Sequence, residues 1–173
     1  MVAKWTLVAA AASLALSGAA YADTAPTDPQ IAHIAYTAGN IDIEAARLAL
    51  AKSRSSAVRE FAQTMLRDHE AVNVKALALV KKLGVTPEEN ATSAALAKQA
   101  GETKARLARL DGAAFDRAYA ANEAAYHGTV NGALKTTLIP AATNPELKAL
   151  LETGLSLFGE HQAHAEHLAA SLK

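Results

Sequence analysis

The sequence predicts an all-α protein, a ferritin-like four-helix bundle with a shorter crossover helix. Three observations carry the expectation. Alanine, leucine, lysine and glutamate dominate while aromatics make up only 5% of the residues, and no apolar/polar alternation of the strand type lasts more than a few positions. Apolar residues recur at helical spacing over long stretches. Three cap-and-proline sites, Asp28-Pro29, Thr86-Pro87-Glu88-Glu89 and Asn144-Pro145-Glu146, each join an N-cap residue to proline at the first helical position, and the last two add an early acid.

Taken in order, residues 1–22 (MVAKWTLVAAAASLALSGAAYA) carry a lysine at position 4, an apolar run over Leu7–Leu16 and small residues up to Ala20-Tyr21-Ala22. That pattern predicts a secretory signal peptide, and hence a periplasmic or otherwise exported protein. The run is shorter than the roughly 20 residues that a spanning helix needs, and no later segment is continuously apolar, so no membrane span is expected. Cleavage after Ala22 would remove 22 of the 173 residues and leave 151, one domain over 23–173 with its core over about 29–171.

A first helix is expected over about 29–52 and a second over about 56–83, stopped by Gly84. Thr86 and Glu89 have capping-box spacing, which predicts a shorter helix at about 88–109. After Leu110-Asp111-Gly112, helices follow over about 113–138 and 145–171. Four long helices and one shorter segment suit a bundle in which 88–109 is the crossover.

Composition narrows function. Loss of the leader would leave 16 basic against 17 acidic residues, which gives no electrostatic reason to expect nucleic acid or an anionic membrane as partner. There is no cysteine, so any metal site must use His, Asp and Glu. Serine-nucleophile elbows, phosphate-binding loops and glycosidase-like carboxylate pairs are not evident, and an enzyme is less expected than a binding module.

A helical wheel sorts the polar residues. In the last helix, His161 falls at the centre of the stripe formed by Leu147, Leu150, Leu151, Leu157, Phe158 and Leu168, with His164 at its border and His167 on the polar side. His69 lies within the stripe of the second helix (Val58, Phe61, Met65, Val72, Leu79, Val80), with Asp68 at its edge, placed to hold or orient a ligand. In the fourth helix, Glu123 lies inside the stripe, and His127 and Asp116 lie toward one border. In the first helix, Ile31, Ile34, Ala38, Ile41, Ala45 and Leu48 mark the inner face. Asp42 falls on its flank, and Glu44 points away. His33 projects outward. Counting heights along the helices matches Glu123 to His161 better than His127, and the choice between those two stays open.

A lone histidine on an apolar stripe is usually a hydrogen-bonded core residue. Three on three different helices, with acids on the same faces, favour a metal site, because burying them unpaired costs on the order of 1–3 kcal/mol each. The expected ligands are Asp42, His69, His127 and His161, with Asp68, Asp116 and Glu123 as supports. Three imidazoles and a carboxylate suit one divalent transition ion, zinc or copper before iron or nickel.

GNIDIEAARLAL, VREFAQTMLRDHE, LDGAAFDRAY with the following His127, and the late helix bearing His161 together resemble an exported bacterial ferritin-like family. It is catalogued as domain of unknown function four-one-four-two and is often labelled an outer membrane protein. The likeness spans roughly 29–171 and rests on the blocks Phe61, Ala62, Met65, Asp68, His69 and Phe115, Asp116, Tyr119. It implies His69, His127 and His161 as the family's histidines and puts Asp42 where the family usually has glutamate. Glu123 departs from the pattern. Two other functions follow from the residues: a structural envelope or stress-related bundle with a hydrogen-bonded polar core layer, and a di-iron or di-manganese oxidoreductase. The last usually takes inward Glu-x-x-His motifs, which are missing here.

Overall fold

The computed structural model describes residues 25–172; the expected signal peptide lies outside the described residues. Six helices and no strand occur among the described residues: α1 (Asp28–Lys52), α2 (Ser56–Leu83), α3 (Ala91–Ala108), α4 (Gly112–Ala133), α5 (Ile139–Ala141) and α6 (Pro145–Ser171). The protein is all-α. No helix among the described residues is long and apolar enough to cross a membrane.

Local chemistry explains the boundaries. At the start of α1, the Thr27 N–H donates to Gln30 Oε1, and Pro29 costs nothing in the first turn. Asp28 was expected as the cap of α1. It sits inside the helix instead, where its carboxylate accepts from the Thr143 N–H, the Thr143 hydroxyl and the Asn144 N–H. One acid thereby ties the start of α1 to the turn before α6, and those bonds hold its carboxyl below the usual range against the opposing effect of burial. Gly84, at φ +65°, ends α2 in the left-handed conformation that glycine adopts without a Cβ clash.

Two expected boundaries are corrected. Thr86 does not cap a helix: residues 85–90 are irregular, and α3 starts three residues later than expected, behind Asn90. Asn90 accepts from the Ser93 N–H while the Asn90 N–H donates to the Ser93 hydroxyl, a reciprocal cap that Thr86 and Glu89 do not form. The Glu88 N–H donates to the Pro29 carbonyl, which holds this stretch across the start of α1. The second correction is at Leu134–Leu138, where the expected single helix 113–138 passes into a π-helical turn. Pro140 has no N–H to offer the Thr136 carbonyl and its ring crowds that group. The Ile139 N–H reaches back to the Leu134 carbonyl, and the wider turn lets Leu134 and Leu138 both enter the core.

α1 packs chiefly on α2 and α4 on α6, while α2 with α6 and α1 with α4 close the interior. α3 lies against α1 and touches α4. That cover changes the reading of α1, because Ile41, Ala45 and Leu48 are only half-buried beneath α3, and the deepest face runs through Ile34, Ala38, Asp42, Ala46 and Ala49. Asp42 is therefore fully inside, not on a flank. The core has two parts. Phe61, Met65, Phe115 and Tyr119 fill one; Ile31, Ile34, Leu138, Leu147 and Leu151 fill the other.

Candidate metal centre

Between the two apolar clusters lies a polar layer. Asp42 on α1, His69 on α2, Glu123 and His127 on α4 and His161 on α6 are all at most 4% exposed. Each helix delivers its residue for the same reason: an apolar stripe at helical spacing faces inward, and one position on it is polar. Glu123 and His127 stand one turn apart, so the fourth helix contributes both.

The three imidazole rings form a near-equilateral triangle. Their centroids are 5.7 Å apart for His69 and His127, 5.4 Å for His69 and His161, and 5.6 Å for His127 and His161. Phe158 stacks on His69 at 4.7 Å with its plane tilted by only 10°, which fixes that ring's orientation. One ring nitrogen from each histidine lies within 4.8 Å of the other two, and the same holds for ligand atoms of Asp42, Glu123 and His127. His127 belongs to both trios.

The tautomers follow from acceptors that have no proton to give. His127 Nδ1–H donates to the Glu123 carbonyl at 3.0 Å, which leaves Nε2 as a bare lone pair. His161 Nε2–H donates to Asp68 Oδ2 at 3.1 Å, which leaves Nδ1 bare. Both free nitrogens lack any hydrogen-bond partner, as do both ring nitrogens of His69, Asp42 Oδ1 and Glu123 Oε2. His69 Nε2 is 3.6 Å from Asp42 Oδ2, beyond hydrogen-bonding reach.

Burial governs the charges. It holds His69 down at about 3 and His127 at about 4, and the neighbouring imidazoles push the same way. His161 is also lowered by burial, opposed by its bond to Asp68. Asp68 remains ionised, lowered first by Arg67, which bonds Oδ1 at 2.8 Å, and further by His161. Asp42 is raised well above the ordinary carboxylate value by burial and by facing Glu123, and Glu123 is pushed up to about 7 by burial. At neutral pH the layer therefore holds neutral imidazoles with free lone pairs and two facing acids, and no lysine or arginine among the described residues bonds Asp42 or Glu123.

Such a layer could hold a metal ion, because a cation would satisfy the orphaned ligand atoms of a trio that are otherwise buried without partners. Of the residues expected from sequence, Asp42, His69, His127 and His161 come together. So does Glu123, one turn before His127. Asp68 bonds a member of the layer. Asp116 is buried with one unpartnered oxygen but belongs to neither trio. Glu44 pairs with Lys104 at the surface, and His164 and His167 are exposed. The pairing of Asp42 with Glu123 across α1 and α4 was missed: the helical wheel put both acids near inner faces, and it does not give heights across helices.

The family described as a domain of unknown function (DUF4142) matches residues 13–168. The chain belongs to this family. The match starts within the segment read as a leader and runs through all six helices, nearly to the end of α6. Membership brings no assigned chemistry to the buried layer, since the family is defined without a function. No curated protein and no solved structure matches the chain.

Proposed function

We propose that this protein is an exported, periplasmic metal-binding member of its family, a ferritin-like four-helix bundle. It holds a divalent transition ion on Asp42, His69, His127 and His161 for storage, sequestration or structure. The carrying observation is the set of buried, unpartnered ligand atoms: three imidazole lone pairs and two carboxylate oxygens in one layer. A hydrogen-bonded polar core would leave such atoms partnered, and His69, with neither ring nitrogen bonded, is the clearest case against that reading.

Ligand type favours zinc or copper, with iron also accommodated. Asp68 would orient His161 in the carboxylate–histidine–metal manner, and Glu123 would supply a fifth donor or balance charge. One observation supports a second reading with two ions: Asp42, Glu123 and His127 make a trio of their own. The inward Glu-x-x-His motifs usual in a paired-metal oxidoreductase are missing, so Asp42 and Glu123 are the carboxylates that such a pair of ions would have to share.

Equilibrium dialysis against zinc, copper and ferrous iron, beside thermal melting with and without chelator, tests the proposal. Tight uptake of a metal with a chelator-sensitive melting temperature is expected. No tight uptake and an unchanged melting temperature would overturn it.

A further inference from the structure

Asp42 and His69 line a cavity of about 650 Å³ between α1, α2, α3, α4 and α6, within the range of small-molecule pockets. Its walls are mostly apolar, with Ile34, Val72, Leu79, Val130, Leu134 and Leu151 among them, and Asn73, Asn90 and three threonines add uncharged polar groups. Small residues leave the room: Ala35, Ala38, Gly39, Ala76 and Gly154 also line it. It explains a disagreement with the helical wheel, since Val72, Leu79 and Val80 on the apolar stripe of α2 are only half-buried. They face this space, where a close neighbouring helix was expected.

Charge restricts what could fill it. Among the described lining residues, Asp42 is the only carboxylate, His69 the only imidazole, and there is no lysine or arginine. An anionic head would find no cation to pair with among these residues, an arrangement that costs far more than burying a neutral one. Asp42 is 2% exposed and its Oδ1 has no partner, so it is an acceptor in want of a donor.

We propose that this cavity binds a neutral, largely apolar molecule bearing a hydroxyl, with the aliphatic or aromatic body among the leucine and valine side chains and the hydroxyl donating to Asp42. This goes beyond the metal reading and does not depend on it, because a carboxylate that holds an ion through one oxygen keeps the other to accept a hydroxyl.

The test is calorimetric titration of the protein, both chelated and zinc-loaded, with 1-decanol, decanoate and decylamine below their micellar concentrations. Decanol should bind saturably at one per chain in both forms, with decanoate weaker on the order of tenfold or more. Ala76→Phe, which puts a ring into the cavity, should abolish decanol binding while circular dichroism shows an intact helical fold. Should that variant fail to fold, Ala35→Leu fills the cavity from α1 and should weaken binding. Each of four results would overturn the proposal: no saturable decanol binding, decanoate binding as tightly as decanol, decylamine binding more tightly than either, or decanol binding untouched by the filling variants.

Discussion

Asp68→Asn isolates the orienting contact from the metal ligands themselves. Asp68 Oδ2 accepts the His161 Nε2–H at 3.1 Å, and an asparagine oxygen could still accept it, so the substitution removes charge while keeping the hydrogen bond. Losing a carboxylate behind a metal-bound imidazole typically costs about 10–100-fold in affinity. Two features place this case at the lower end. The Asp68 side chain is 18% exposed, and Arg67 already draws on its charge at 2.8 Å. The expected loss is about tenfold in zinc affinity, or about 1.4 kcal/mol, read by competition with a chromogenic chelator. Asp116→Asn is the control: it is equally an aspartate on an inward-facing border, but it belongs to neither trio and should leave affinity unchanged. An affinity within about twofold of wild type would refute the orienting role. Complete loss of binding would refute it differently, by making Asp68 a ligand.

Other expectations concern the chelated protein. With folded values of about 3 and 4, His69 and His127 bind fewer protons than in the unfolded chain, so between about pH 4 and 6.5 they make stability rise with pH. Glu123, raised from 4.5 to about 7, acts oppositely: the native state binds more protons, and that contribution is lost as pH climbs toward 7. Glu123→Gln should therefore give a steeper rise in unfolding free energy from pH 4.5 to 6.5 in urea titrations, by up to about 1.4 kcal/mol per pH unit; parallel profiles would contradict the assignment. Gly39→Ala places a methyl group into the Asn73 side-chain amide, which donates to Asn40 Oδ1 at 3.0 Å. It should cost about 1–3 kcal/mol, and adding Asn73→Ala should recover part of the loss in a double-mutant cycle. Phe61→Ala empties a fully buried site against Tyr119 and His164 and should cost about 3–5 kcal/mol by thermal or chemical melting.

Much of this arrangement was legible from helical periodicity. The stripes of α2 and α6 put His69 and His161 inward and left His167 in solvent, because in those helices one face is covered and the opposite one is not. α1 was harder to read. It is covered by α2 and α4 on one side and by α3 on another, so its apolar residues wrap more than one face and the wheel turned Asp42 toward the edge. The start of α3 was misplaced for a different reason. Thr86-Pro87 has the composition of a cap, but the backbone of that stretch is engaged by Pro29, a contact that no local pattern announces. The facing of Asp42 and Glu123 depends on the relative heights of α1 and α4, which are set by packing across the interior. The cavity beside them is a consequence of small residues on several helices meeting at one level.

The central claim is that the buried histidines share one metal. Elemental analysis of untagged protein by inductively coupled plasma mass spectrometry, beside His69→Ala and His161→Ala, tests it most directly. The account predicts about one zinc or copper per wild-type chain, lost in both variants, since each removes a ligand contributed by a different helix. Wild-type protein without metal, or metal content unchanged by either substitution, would contradict it.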